Sequence, residues 1–237
     1  MNDYRLLPYQ LDAVLQSRAS NLLVLAHARR IGATYPFACD AVDTVVSTLA
    51  NTYFYVNTLA RGRVFLMECC VLAEMNHGAR LAVEPVSIGE GDEPSVQCWM
   101  VQFPGGGIIY AVPPMPSLLR TANGPIVIDD AAWVPNLSHL IAPALAATAY
   151  GARVVVISAL PKKPGNAFMA LLADVQAGRK AGVAQMVTLS DAVTGGLYRR
   201  ICEIMGVEYT ATGEASWEAR QRQAYGMEAA SDLDLVI

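Results

Sequence analysis

Asn21-Leu22-Leu23-Val24-Leu25-Ala26, running straight into His27-Ala28-Arg29-Arg30-Ile31-Gly32-Ala33-Thr34, is the stretch on which the fold turns. Its first six residues are almost continuously apolar, as a parallel strand covered on both faces must be. A short polar loop with one glycine follows, and a helical pattern begins directly after Thr34. Strand, tight loop and helix in that order turn backbone N–H groups at a helix N-terminus toward an anion, and place a hydroxyl where it can reach a Mg²⁺ ion. A phosphate-binding loop is built this way, but its usual pattern is two glycines and then Lys-Ser/Thr. Here the first glycine is absent and Ala33 stands at the lysine position. Taken alone, an ordinary strand-to-helix turn with a surface arginine pair explains the loop as well.

Three more runs share the character of the first: Tyr53-Phe54-Tyr55-Val56, Pro125-Ile126-Val127-Ile128-Asp129-Asp130 and Arg153-Val154-Val155-Val156-Ile157-Ser158. Between them, Asp40 to Ala50 and Gly62 to Asn76 predict helices, and Val96 to Val112 predicts a hairpin turning at Gly105-Gly106-Gly107. This alternation predicts an α/β fold with a mainly parallel central sheet flanked by helices, and a site at the polar ends of the strands. From Leu197 onward charge is dense and aromatics are dispersed; Ala215 to Tyr225 predicts an exposed helix and no further strand is expected.

The strand Ile126-Val127-Ile128 ends in two acids, the form of a Walker B element, in which the first acid holds the Mg²⁺ shell and the second orients and deprotonates the attacking water. Acidic pairs at strand ends are equally common as turn and N-cap residues. Ser158 leaves a third strand with a polar group where a γ-phosphate could be sensed. The order of loop, acidic strand and polar strand points to a P-loop ATPase that takes ATP and Mg²⁺.

Composition agrees with one good-sized domain or two small ones. The 237 residues are 54% apolar and 16% charged, with mean hydropathy +0.32, which excludes a disordered chain. The longest uncharged stretches, Pro94 to Leu119 and Ala131 to Ala152, are interrupted by prolines, so neither predicts a membrane span, and Met1-Asn2-Asp3-Tyr4-Arg5 does not start a signal peptide. A cytoplasmic protein is expected. A net charge of −4 argues against coating nucleic acid through bulk charge. Five cysteines without Cys-x-x-Cys spacing predict buried thiols rather than disulfides or a zinc site, and Cys69-Cys70 reads as core. His77 and His139 read as surface or capping residues; His27 borders the loop and could touch a phosphate, but a role without ligand is the preferred reading for it too. Lys162-Lys163, Arg179-Lys180 and Arg199-Arg200 could line a DNA path or be solvated pairs, and Arg120 could sense nucleotide or form a plain salt bridge.

With these residues placed, nearly the whole chain resembles the ATPase domain of the large terminase subunit of tailed phages, in particular of Mu-like phages. Leu7-Pro8-Tyr9-Gln10 resembles the family segment whose Gln reads the adenine edge. Ala28-Arg29-Arg30-Ile31-Gly32-Ala33-Thr34 resembles a Ser-Arg-Arg-Ile-Gly-x-Thr loop, and the family tolerates displaced or replaced loop lysines. Leu118-Leu119-Arg120 with Ile126-Val127-Ile128-Asp129-Asp130-Ala131-Ala132-Trp133 resembles a Leu-Arg-Gly step leading to Val-Ile-Asp-Glu-Ala-Ala-Phe. Val156-Ile157-Ser158 with Gly165-Asn166-x-Phe168 resembles the coupling segment, and Gly196-Leu197-Tyr198-Arg199-Arg200-Ile201-Cys202 resembles a Mu-like signature.

The resemblance implies a RecA/ASCE-like P-loop ATPase core over residues 1–196 and a helical extension or linker over residues 197–237. It implies a motor that hydrolyses ATP to drive double-stranded DNA into a procapsid, as a homo-oligomeric ring with portal protein and small terminase subunit, in the host cytoplasm. Residue by residue it implies that Tyr9, Gln10, Arg29, Arg30, Ile31, Gly32, Ala33, Thr34 and Ser158 bind nucleotide, and that Thr34 and Asp129 ligate Mg²⁺. Asp130 would stand where the catalytic Glu is expected, and Arg29 would charge the β/γ-phosphates or act across the ring. The chain departs from the pattern at Asp130, at Ala33 and His27 in place of a lysine, and at Ala159-Leu160 where Ser/Thr is usual. The alternative is a nucleotide-binding but catalytically attenuated partner in a packaging complex. The family's RNase H-like nuclease domain, and with it DNA cleavage, is not expected in these residues.

Overall fold

The computed structural model describes residues 6–47, 52–89, 95–119, 122, 124–161 and 165–236. Arg120, Lys162-Lys163 and the N-terminal Met1 to Arg5 therefore lie outside the described residues.

Eight strands form one sheet. They are β1 (Leu22–His27), β2 (Thr52–Val56), β3 (Glu84–Ile88), β4 (Val96–Gln102), β5 (Ile108–Val112), β6 (Ile126–Ile128), β7 (Val154–Ser158) and β8 (Val183–Val187), in the order β3-β4-β5-β2-β6-β7-β1-β8. From β5 through β8 every neighbouring pair is parallel; the β3–β4 and β4–β5 pairs are antiparallel. β7 lies between β1 and β6, with Ala26 in register with Ser158 and Ile128 with Val156, so the loop strand and the acidic strand are one strand apart.

The helices explain why the central strands read as continuous apolar runs. Leu23, Leu25, Val127, Val155 and Ile157 face a core closed by α1 (Pro8–Ala19), α2 (Tyr35–Ser47) and α3 (Leu59–His77). Leu22, Val24, Ile126, Ile128, Val154 and Val156 face a second core closed by α4 (Pro116–Leu119), α5 (Leu137–Ala146) and α6 (Ala167–Gln176). Alternate residues thus enter opposite cores, and a period-2 strand with both faces covered shows no polar alternation. Truncating a fully buried member such as Phe37 to Ala should cost about 3–5 kcal/mol.

The hairpin β4–β5 turns through Gly105 to Gly107 as the sequence predicts, with Gln102 opposite Ile108. The helix predicted from Asp40 begins earlier, at Tyr35, because the residues after Thr34 already pack inward: Phe37, Ala38 and Cys39 are buried. Two strands lacked a readable signal. β3 is an edge strand with mixed exposure, and β8 holds Gln185 on the outer side of β1. Both lie on the sheet margin, where burial no longer demands an apolar run.

The C-terminal part comprises α7 (Leu189–Thr194), α8 (Leu197–Met205), α9 (Ala211–Tyr225) and α10 (Ala229–Asp232). α9 has no buried residue, in keeping with the exposed helix read over Ala215 to Tyr225, but the chain then returns to the core. Leu233 is buried in one core and Leu235 in the other, and the Leu189 N–H donates to the Leu233 carbonyl at 2.8 Å. Among the described residues no helix is long and apolar enough to cross a membrane.

Candidate functional site

The C-terminal tips of β1, β6 and β7 meet at a cleft of about 690 Å³ lined by His27, Arg29 to Tyr35, Arg61, Asp129, Asp130 and Tyr225, among others. The loop after β1 is braced from several sides. The Ala28 N–H donates to the Val187 carbonyl and the Arg29 N–H to the Asp232 carbonyl, at 2.8 and 3.0 Å. The Tyr9 hydroxyl donates to the Ile31 carbonyl, and the Gln10 amide donates to the Gly32 carbonyl at 3.0 Å while accepting from the Leu7 N–H. Arg30 and Gly32 both have positive φ, 62° and 73°. A side chain at Gly32 would be strained and its Cβ would meet the Gln10 amide at 3.2 Å. Tyr9 and Gln10 therefore buttress the loop, and Gln10, 6% exposed, has its amide engaged within the protein.

Across the cleft, Asp129 is the fixed point. Its Oδ2 accepts from the Thr34 hydroxyl at 3.1 Å and from the Tyr55 hydroxyl, and its Oδ1 accepts from the Asp130 N–H at 2.9 Å. Its backbone is pinned to β2 as well, donating to the Val56 carbonyl at 3.1 Å and accepting from the Asn57 side chain at 3.3 Å. The Tyr55 ring is itself held by stacking on Phe65, with ring centres 3.9 Å apart. Burial pushes the Asp129 carboxyl above its ordinary value, and its hydroxyl and N–H donors oppose that only in part. The same burial pushes His27 down, so its imidazole adds no cation at neutral pH.

Asp130 follows in the left-handed region, φ 51°, which carries its side chain out of the strand's alternation. It is half-exposed and pairs with Arg61 at 3.6 Å. Arg29 lines the cleft, but its guanidinium is 3.4 Å from the Asp232 carboxylate and 5.4 Å from the centre of the exposed Trp133 ring. Ser158 is fully buried: its hydroxyl accepts from the Ala132 N–H at 3.1 Å, and the Asn166 amide donates to the Ala132 carbonyl at 2.8 Å. Both residues brace the turn after Asp130, and it is Ala159 that lines the cleft.

The loop and acidic pair read from the sequence are thus brought together, while Tyr9, Gln10 and Ser158 stand one layer behind. Tyr55, Asn57, Arg61 and Trp133 escaped the sequence reading. For the first three the polar exit Asn57-Thr58 of the apolar run Tyr53 to Val56 was the signal available. Of the basic pairs, Arg179 is engaged by Asp174 at 2.7 Å and Arg200 by Glu203 at 3.1 Å, while Arg199 lies 4.5 Å from the Tyr209 ring centre. Cys69 is buried in the core and Cys70 is intermediate. Among the described residues no group of three His, Cys, Asp or Glu side chains could hold a metal. A cation at Thr34 and Asp129 would take its remaining ligands from substrate and water oxygens, the usual state of Mg²⁺.

No family model matches the chain. It is 31% identical over 227 residues to the Mu-like prophage FluMu protein gp28 of Haemophilus influenzae, covering 90% of this chain and 44% of that protein. It is 29% identical over 221 residues to the probable terminase, large subunit gp28 of Escherichia phage Mu, covering 90% and 40%. The chain therefore spans less than half the length of these curated relatives. Among solved structures, the ATPase domain of a Thermus phage large terminase is similar with TM-score 0.55 at 13% identity, over 95% of this chain and 91% of that one. The large terminase of a thermophilic bacteriophage in complex with ADP is similar with TM-score 0.55 at 15% identity, over 88% and 51%.

Proposed function

From the premise that this chain is a homologue of the gp28 proteins of Mu-like phages, with the fold of a large-terminase ATPase domain, we propose that it is the ATP-hydrolysing motor part of a DNA-packaging terminase. Its substrate is Mg²⁺-ATP and its cargo double-stranded DNA. It works as a ring with portal protein and small terminase subunit in the host cytoplasm, residues 1–196 forming the ATPase core and 197–237 an extension.

The observation that carries this reading is the hydrogen bond from Thr34 to Asp129, which joins the loop to the acidic strand across 95 residues of chain. A hydroxyl and a carboxylate on one spot are the two protein oxygens that Mg²⁺-nucleotide needs. Bound there, the ion neutralises charge on the phosphates. Asp129, raised by burial and facing hydroxyl donors rather than a basic side chain, gains a counter-charge in that state. Asp130 takes the proton of the attacking water, and its half-exposed position leaves room for that water. Arg29 and Arg30 bring positive charge to the loop in place of the absent lysine. Ser158 and Asn166 grip Ala132, so a shift of the acidic turn is passed to the end of β7 and the start of α6.

The test is phosphate release from Mg²⁺-ATP by the purified chain, with and without double-stranded DNA, beside equilibrium binding of ATP. Turnover that Asp130→Asn abolishes while ATP still binds supports the proposal. Binding without any turnover would reduce the chain to a nucleotide-binding partner.

A further inference from the structure

Among the cleft-lining residues the cations are Arg29, Arg30 and Arg61, and no lysine is present. Arg29 is drawn toward Asp232 and Trp133, and Arg30 sits on the loop itself. Arg61 comes from the opposite wall. It lines both the cleft and an adjoining cavity of about 390 Å³ shared with Asn57, Thr58, Asp130 and Trp133, and the ion-pair partner of its guanidinium is the Asp130 carboxylate.

The stem of Arg61 is held far more firmly than its tip. The Thr58 hydroxyl caps α3 by accepting from the Arg61 N–H at 3.4 Å. The next residue, Gly62, lies so close to β5 that a Cβ there would sit 2.7 Å from the Ala111 Cβ. Asn57, one residue before that cap, is bonded to the Asp129 carbonyl. The start of α3 is therefore registered against the acidic strand. The side chain as a whole, in contrast, is 68% exposed, and a partly exposed pair at 3.6 Å is weak and readily exchanged for a more highly charged anion.

On the reading proposed above, we infer that Arg61 binds the terminal phosphate of the nucleoside triphosphate, exchanging its ion pair with Asp130 for that contact. A terminal phosphate competes with Asp130 for the guanidinium. ATP then both gains a charge-assisted contact and releases Asp130 to act on water, whereas ADP does neither. Arg61 in this way supplies, from the far wall, the charge that Ala33 does not.

The readout is the ratio of ATP to ADP affinity, measured by equilibrium binding to the full chain with Mg²⁺. Arg61→Gln should weaken ATP by about tenfold and ADP by less than about twofold. Arg61→Lys should restore much of the difference, and Arg61→Glu should widen the loss. Thr34→Ala should weaken both nucleotides together. Because the side chain is largely exposed, these variants should fold, and circular dichroism checks that they do. Equal weakening of ATP and ADP in Arg61→Gln, or no change in either, overturns the inference while leaving the ATPase proposal standing. A wild-type chain that binds neither nucleotide overturns both.

Discussion

Asp40 and Asp129 are both buried carboxylates, 2% and 6% exposed, yet their surroundings are opposite. Asp40, on α2, meets two guanidinium groups near the strand starts: Arg18 from the end of α1 at 2.8 Å, and Arg153 from just before β7. Asp129, at the strand tips, is offered hydroxyls and backbone groups, and burial raises its proton affinity. A buried charge paired with cations inside the fold is a structural joint; one held by neutral donors at a cleft is ready for a cation from outside. The contrast separates the end of the sheet that holds α1, α2 and β7 together from the end proposed to bind nucleotide.

The largest effect should come from the joint. Asp40→Ala strips the half-buried Arg153 and the more exposed Arg18 of their buried carboxylate, and urea unfolding should show a loss of about 3 kcal/mol. The folded fraction should bind ATP as before. Asp129→Asn should do the reverse, keeping or raising the unfolding free energy while phosphate release falls on the order of 10²-fold or more. If Asp129→Asn proved the more destabilising of the two, the division between joint and site would be wrong.

Smaller changes refine it. Tyr55→Phe removes a hydroxyl that helps to keep Asp129 ionised, so titration of turnover with Mg²⁺ should need about tenfold more metal, as expected for losing one hydrogen bond to a charged group. The pH dependence of stability should be the subtlest sign. In the unfolded chain Asp129 titrates at about 4, and in the fold burial raises that value, so the native state holds the proton more tightly. That contribution is complete below the unfolded value and is lost as pH rises through the native one. Calorimetry upward from about pH 4 should therefore show Asp129→Asn losing less Tm than the wild type. Identical slopes would mean that Asp129 does not titrate in that window.

Much of this was legible along the chain because the central strands must be apolar on both faces. Leu22 to Ala26, Tyr53 to Val56, Ile126 to Ile128 and Val154 to Ile157 announce themselves for that reason, and so do the polar residues where each run stops. β8 and β3 did not, since marginal strands bury too little to constrain their residues. The roles of Tyr9 and Gln10 were hidden for another reason. Which face of a side chain meets the loop depends on how α1 lies across it, and nothing within Leu7-Pro8-Tyr9-Gln10 specifies the distance to Ile31 or Gly32. Arg61 reads as one charged residue among several on α3 until the strand order sets β2 beside β6.

Residue types in order were enough for the class of fold, the phosphate-type loop and the acidic pair, because hydrophobic period, glycine freedom and strand-end polarity are local properties. The meeting of Thr34 with Asp129, the opposition of Arg61 to Asp130, and the return of Leu233 and Leu235 into the two cores depend on contacts between residues far apart in the chain. The first follows from the placing of β7 between β1 and β6, and the second from the pairing of β2 with β6. The partners that the fold brings up then decided which buried carboxylate meets arginines and which meets hydroxyl and N–H groups.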